Sequence, residues 1–115
     1  MTDIEIRSYV DSRNRAPFEE WLVGLDRQAQ AKLVIVLSRL GRGNTSNVEA
    51  VGEGVAELKL NWGPGYRVNF GQDGATLIVL VCGGTKARQS QHVATAKARW
   101  ADYKTRKLSR ARPGG

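Results

Sequence analysis

Two helical stripes followed by three alternating runs predict an α+β domain with the element order β-α-α-β-β-β-α. Helical spacing is carried by Phe18, Trp21, Leu22 and Leu25, and again by Ala29, Leu33, Val36, Leu37 and Leu40. Period-two alternation is carried by Ala56, Leu58 and Leu60, and by Tyr66, Val68 and Phe70, with polar residues on the opposite parity. A length of 115 residues, 41% of them hydrophobic and 25% charged, suits one globular domain with a modest core. That domain is expected to span residues 1–103, with a basic, flexible tail over 104–115.

Residues 3–10 read as the first strand, with Ile4 and Tyr9 or Val10 contributing its apolar character. The polar stretch after it leads to Pro17, whose fixed φ and missing N–H suit a first helical position. Asp26 is a candidate N-cap for a second helix reaching about Leu40. The β-branched run Leu33 to Leu37 could pass for a buried strand, but its length and polar flanks favour helix. Gly41 and Gly43 end it, and 41–53 is expected to be a loop. Asn61-Trp62-Gly63-Pro64-Gly65 and Gln72-Asp73-Gly74 read as turns between the three later strands. The last of these, Ala75 to Cys82, is apolar on both parities and so is expected inside the sheet. Gly83-Gly84 should break it, and Val93, Ala96, Trp100 and Tyr103 mark the final helix.

Parity then places charge. If Leu58 and Val68 pack on the first two helices, Lys59 and Arg67 emerge together on the other face, beside Asn69. Lys86 and Arg88 follow the last strand and fall near the rim of that face. Tyr66, on the core parity, is expected to pack. The charge is also lopsided along the chain. Residues 1–57 hold seven Lys/Arg against nine Asp/Glu, and residues 58–115 hold eleven against two. Within a net charge of +7, a basic half of this kind attracts polyanions, nucleic acid foremost, although a solvated face that aids solubility has the same composition. The acidic residues are accordingly expected to lie away from the cationic groove.

Several classes are excluded by what is missing. Cys82 is the single cysteine, so no intramolecular disulfide forms, and its apolar setting marks it as a small hydrophobe. One cysteine and one histidine cannot build a structural zinc site, and no metal or other cofactor is expected. His92 is expected to be exposed or to contact a partner. The longest apolar run, Leu77 to Cys82, is too short to span a membrane, and charges stud the first sixteen residues where a signal peptide would be apolar. A cytoplasmic protein is expected. Neither Gly63-Pro64-Gly65 nor Gly84-Thr85-Lys86 has the order of a nucleotide-phosphate loop.

Three segments together carry a family resemblance: Gly54-Val55-x-Glu57-Leu58-Lys59, Gly63-Pro64-Gly65-Tyr66-Arg67-Val68, and Gly83-Gly84-x-Lys86-x-x-Gln89. With Pro17-Phe18-x-x-Trp21-Leu22 before them and Trp100-x-x-Tyr103 after, the pattern covers nearly the whole chain. In this it resembles the RelE/HigB-type toxins of bacterial type II toxin–antitoxin modules, in the phage-derived or addiction-module killer branch. Two positions depart from the pattern. Lys59 stands where the family commonly has Arg, which keeps charge and loses bidentate geometry. His92-Val93 stands where the family usually has Asp-Ile.

The resemblance implies a RelE-like fold, a small antiparallel sheet with two N-terminal helices and a C-terminal helix, and a toxin that inhibits translation by cleaving mRNA on the ribosome. Such chemistry suits a cationic groove, because RNA brings its own nucleophile, the 2′-hydroxyl, and cations stabilise the charged transition state. The implied catalytic residues are Arg67 for phosphate charge, Lys59 for proton transfer or phosphate binding, and Lys86, with Arg88, Gln89 and Asn69 as RNA contacts. The implied partners are mRNA, the ribosome and a cognate antitoxin, a small helix-turn-helix protein encoded alongside. A basic RNA- or ribosome-binding inhibitor that cleaves nothing, and a degenerate toxin kept for antitoxin binding, remain open alternatives.

Overall fold

A computed structural model describes residues 4–111. Its elements are β1 (Glu5–Ser8), α1 (Pro17–Val23), α2 (Arg27–Gly41), β2 (Val48–Gly52), β3 (Val55–Leu60), β4 (Tyr66–Asp73), β5 (Leu77–Thr85) and α3 (Gln89–Ala111), with a 3₁₀ turn over Lys86–Arg88. The fold is α+β. Five strands form one sheet in the order β1-β5-β4-β3-β2. Pro17 opens α1, and the Asp26 carboxylate accepts from the Ala29 N–H at 2.8 Å to cap α2, as the sequence suggested.

Four expectations need correction. The sheet is mixed rather than antiparallel, because β1 runs parallel to β5, Glu5 opposite Leu77 and Ser8 opposite Leu80. Part of the predicted loop 41–53 is strand β2, paired antiparallel with β3. Its alternation is hidden by a register shift between Ala50 and Gly52, which puts Val48 and Val51 three residues apart. Gly83-Gly84 does not break β5, which continues to Thr85. The expected tail is helical at least to Ala111, and residues 112–115 lie outside the described residues, as does Asp3 at the head of the predicted first strand.

Helices cover both faces of the sheet. On one face, α1 and α2 press Phe18, Leu33 and Leu40 onto Leu58, Tyr66, Val68, Phe70, Ile78 and Leu80. On the other, Ala96 and Trp100 of α3 meet Val55, Val79, Val81 and Cys82. Val81 and Cys82 share this face because the β4–β5 register slips between Asn69 and Phe70. The face predicted to be open is therefore a second core. The two glycines in β5 make room for rings on opposite sides. Trp21 of α1 stands where a Cβ on Gly83 would be, and His92 of α3 where one on Gly84 would be. Gly71 gives way to Trp100 in the same manner.

The far end of α3 is fixed by Tyr103, which stacks on Trp100 with ring centroids 5.1 Å apart and donates to Asp73 Oδ2 at 2.7 Å. Burial first, and the Asp73 carboxylate second, push the Tyr103 phenol up to about 12. Asp73 is pulled down from its ordinary value by bonds from Lys107 and then Tyr103.

Gly83→Ala must displace the Trp21 ring, so chemical denaturation should show a loss of about 1–3 kcal/mol. Gly24→Ala, whose added carbon meets only carbonyl oxygens at 3.5 and 3.7 Å, should stay within about 0.5 kcal/mol of wild type. In an absorbance titration, the ionisation near 12 should vanish in Tyr103→Phe. Because the folded value lies above the unfolded one, this phenol's contribution to stability is complete below an unfolded pKa of about 10 and is lost as pH climbs from there toward 12.

Candidate functional site

Strand register builds the site. Lys59 lies opposite Arg67, Glu57 opposite Asn69, and Arg67 opposite Gly84, all on the α3 face. The chain then turns at Lys86–Arg88, where the Lys86 N–H donates to Gly65 O at 2.8 Å and pins the turn to the start of β4. From there Gln89, the first residue of α3, reaches back over the sheet. One end of the α3 face thus gathers Lys59, Arg67, Lys86, Arg88 and Gln89.

At its centre is a residue given no role by the sequence reading. Glu57 has no exposed surface. Its Oε1 accepts from Gln89 Nε2 at 2.7 Å and its Oε2 from Asn69 Nδ2 at 3.3 Å. Arg67 Nε sits 3.6 Å from the same Oε1, an ion pair beyond hydrogen-bond reach. Arg67 Nη1 donates to Tyr66 O at 3.3 Å. Among the described residues, two buried atoms, Arg67 Nε and Asn69 Oδ1, have no hydrogen-bond partner. The signal was present in the sequence: an acid on the same parity as Lys59 in a short, otherwise apolar strand.

The roles expected of several residues change accordingly. Arg67 was placed on an open face, yet it is only 5% exposed, because α3 covers that face. Asn69 was an expected RNA contact, but it is fully buried and spends its amide on Glu57. Gln89, half-buried, does likewise. The acidic residues do not all lie away from the groove, since Glu49 pairs with Lys59 at its β2 edge and Glu57 lies beneath it. The Lys59 hydrogen bond, and then its charge, hold the Glu49 carboxyl below its ordinary value. Lys86 and Arg88 are exposed and make no ion pair among the described residues. Tyr66 packs in the α1–α2 core as expected, with Trp21 edge-on at 5.9 Å.

His92 is half-buried rather than exposed. Its ring lies over Gly84, with Nδ1 3.8 Å from Cys82 Sγ. Cys82 is buried, and burial pushes its thiol up against a smaller opposing effect of Arg99. A reactive thiolate is therefore disfavoured. Among the described residues no group of three or more His, Cys, Asp or Glu comes together, and no helix is long and apolar enough to cross a membrane. A pocket of about 520 Å³ lies elsewhere, between β1 and the end of α3, lined by Arg7, Arg106, Lys107 and Arg110 among others. Three of those cations are already paired, with Glu5, Asp102 and Asp73.

Removing one member of a buried ion pair strands the other, so Glu57→Ala and Arg67→Ala should each lose about 3–5 kcal/mol in urea denaturation. Lys59→Ala should move stability by no more than about 1 kcal/mol, because its partner Glu49 is largely exposed. An unchanged midpoint for Arg67→Ala would contradict the burial of the pair.

No protein-family model matches the chain. An uncharacterized protein of Haemophilus influenzae is 36% identical to it over 81 residues, which cover 70% of this chain and 82% of that one.

Proposed function

We propose that this chain, which belongs to one family with that Haemophilus influenzae protein, is the toxin of a type II toxin–antitoxin module and inhibits translation as a ribosome-associated mRNA endoribonuclease in the cytoplasm. The observation that carries the reading is the convergence of Lys59, Arg67, Lys86 and Arg88 at one end of the α3 face. The likeness of the three segments to RelE/HigB-type toxins supports it.

In the proposed reaction the RNA 2′-oxygen attacks the adjacent phosphorus as its proton leaves to a base. The bond from phosphorus to the 5′-oxygen breaks, and that oxygen takes up a proton. The products are a 2′,3′-cyclic phosphate and a 5′-hydroxyl, and no co-reactant is consumed. Arg67 and Lys86 supply positive charge to the phosphate oxygens, where one such contact is worth about 10²–10³ in rate. Lys59, already donating to Glu49, supplies charge and a proton donor from the opposite side. Arg88, exposed at the rim, holds the strand. Gln89 and Asn69 act through Glu57 and do not touch RNA. Because the substrate brings its own nucleophile, the step is proposed to need no metal-activated water. A cognate antitoxin, proposed as a small helix-turn-helix protein encoded alongside, binds this basic half of the chain, and charge complementarity speeds that encounter.

One observation favours a second reading. Arg67 is covered and paired with Glu57, so the exposed cations alone would make a basic RNA- or ribosome-binding inhibitor that leaves mRNA intact.

Programmed ribosomes carrying a defined message distinguish the two. Cleavage is expected, with a 2′,3′-cyclic phosphate on the upstream product and no cut when the scissile nucleotide is 2′-deoxy. Normal cutting of the deoxy message, or a 5′-phosphate product, would mean that water is the nucleophile. Arrested translation on an intact message would establish the binding reading instead. Co-expression with the adjacent gene should restore growth.

A further inference from the structure

Helix α2 is apolar on the side that meets the sheet and apolar again on the side that faces solvent. Leu33 and Leu40 are buried in the core. On the far side of the helix from them, Val34 is 55% and Ile35 51% exposed. With Ala31 and Ser38, which are exposed as well, they stand at i, i+3, i+4 and i+7 and form one stripe. Val23, at the end of α1 and 73% exposed, is held beside this helix by the Gln30 amide, which donates to Val23 O at 3.2 Å. Val and Ile are poorer helix formers than Ala or Leu, and at these two positions they bury little in return. Packing within the chain does not account for them.

The stripe is framed by charge of one sign. Between Arg27 and Arg42 the sequence holds no Asp or Glu. Arg27 stands at the head of the stripe, Arg42 just past its foot and Arg39 along one flank. All three are exposed, and none forms an ion pair among the described residues. Lys32, on the same flank as Arg39, lies over the Trp62 ring at 5.0 Å. Arg27 is in the first turn of α2, where the helix dipole disfavours a cation, so its place there does not serve the helix.

We infer that the solvent side of α2 is a docking surface for an amphipathic helix of a partner protein, one whose apolar stripe is bordered by Asp or Glu. Ala31 and Ser38 are small and lie seven residues apart, so they leave hollows about 10 Å apart on either side of Val34 and Ile35. A helix lying along α2 fills both with side chains one heptad apart. Carboxylates at the border of its stripe then meet Arg27, Arg39 and Arg42. A second copy of this chain brings the same cations to the surface and no acid, so like charges oppose self-association here. A lipid surface is held by a broad apolar face with bulky and aromatic residues, whereas this stripe is narrow and has no aromatic. The inference requires nothing of the RNA-directed reading, because α2 packs on the sheet face opposite Lys59 and Arg67.

The probe is a helix-stapled peptide of about five turns, with Leu at heptad spacing and Glu on both borders, titrated into the full chain. Its twin carries Lys in place of every Glu. Methyl resonances of Val34 and Ile35 should move saturably with the Glu peptide, and fluorescence anisotropy should show the Lys twin binding about 10-fold or more weakly. Ile35→Gln should weaken the Glu peptide by about 10-fold, since one buried Ile is removed from the contact. Ile35→Ala replaces it if that variant does not fold. Arg39→Glu should weaken the Glu peptide and strengthen the Lys twin, an exchange that general stickiness does not produce. Equal binding of the two peptides overturns the inference, as do shifts that leave Val34 and Ile35 unmoved. Two further results overturn it in favour of another occupant. One is a dimer in sedimentation equilibrium that Ile35→Gln dissolves, which assigns the face to a second copy. The other is retention on phosphatidylglycerol vesicles that Ile35→Gln abolishes, which assigns it to lipid.

Discussion

A carboxylate with no access to water has to be satisfied by the protein, and the residues that satisfy Glu57 are those that shape the groove. Asn69 comes from the neighbouring strand, Gln89 from the start of α3, and Arg67 from the position diagonal to Glu57 on β4. Burial of an ion of this kind costs several kcal/mol unless it is paired and hydrogen-bonded. Each of these contacts ties one element to another, β3 to β4 and β3 to α3. The geometry of the cationic end is in this sense a consequence of one buried charge. Two of the exposed cations, Lys86 and Arg88, are in turn placed by the chain leaving β5 and entering α3 just before Gln89.

The second constraint is steric. A sheet with helices on both faces needs its interior strands to accept bulky side chains from above and below. Here glycines do so at Gly83 for Trp21, at Gly84 for His92 and at Gly71 for Trp100. Gly84 is also the cross-strand neighbour of Arg67, so the seat that admits His92 is next to the guanidinium. The close packing of α3 at this point is what covers Arg67. On its other side the guanidinium lies toward Gly65, where the Lys86 side chain packs close to the strand start.

Much of this was legible in the sequence, and the misses have physical causes. The alternation in Glu57-Leu58-Lys59 and Tyr66-Arg67-Val68 was enough to pair Lys59 with Arg67 on the face opposite Leu58 and Val68. The Asp26 cap and Pro17 start were equally plain. Strand β2 was hidden because a register shift destroys the period of two. The parallel pairing of β1 was not readable, since nothing local records which edge a first strand will join. From sequence, Arg67 and Asn69 read as accessible, because polar residues on one parity usually mean a solvated face. The apolar side of α3 contradicts that, and Val93, Ala96, Trp100 and Tyr103 needed somewhere to pack. Glu57 was visible as an acid among apolar neighbours, but that it lies beneath Gln89 is a tertiary fact separated by 32 residues.

The account depends most on Glu57 and Arg67 acting as a coupled unit and not as accidental neighbours. A double-mutant cycle with Glu57→Gln, Arg67→Met and the double variant, read by urea denaturation, measures that directly. The predicted coupling is about 1–3 kcal/mol, with the double variant more stable than the sum of the two single losses implies. Losses that add to within about 0.3–0.5 kcal/mol would show that the two residues are independent, and the buried carboxylate would no longer explain the site.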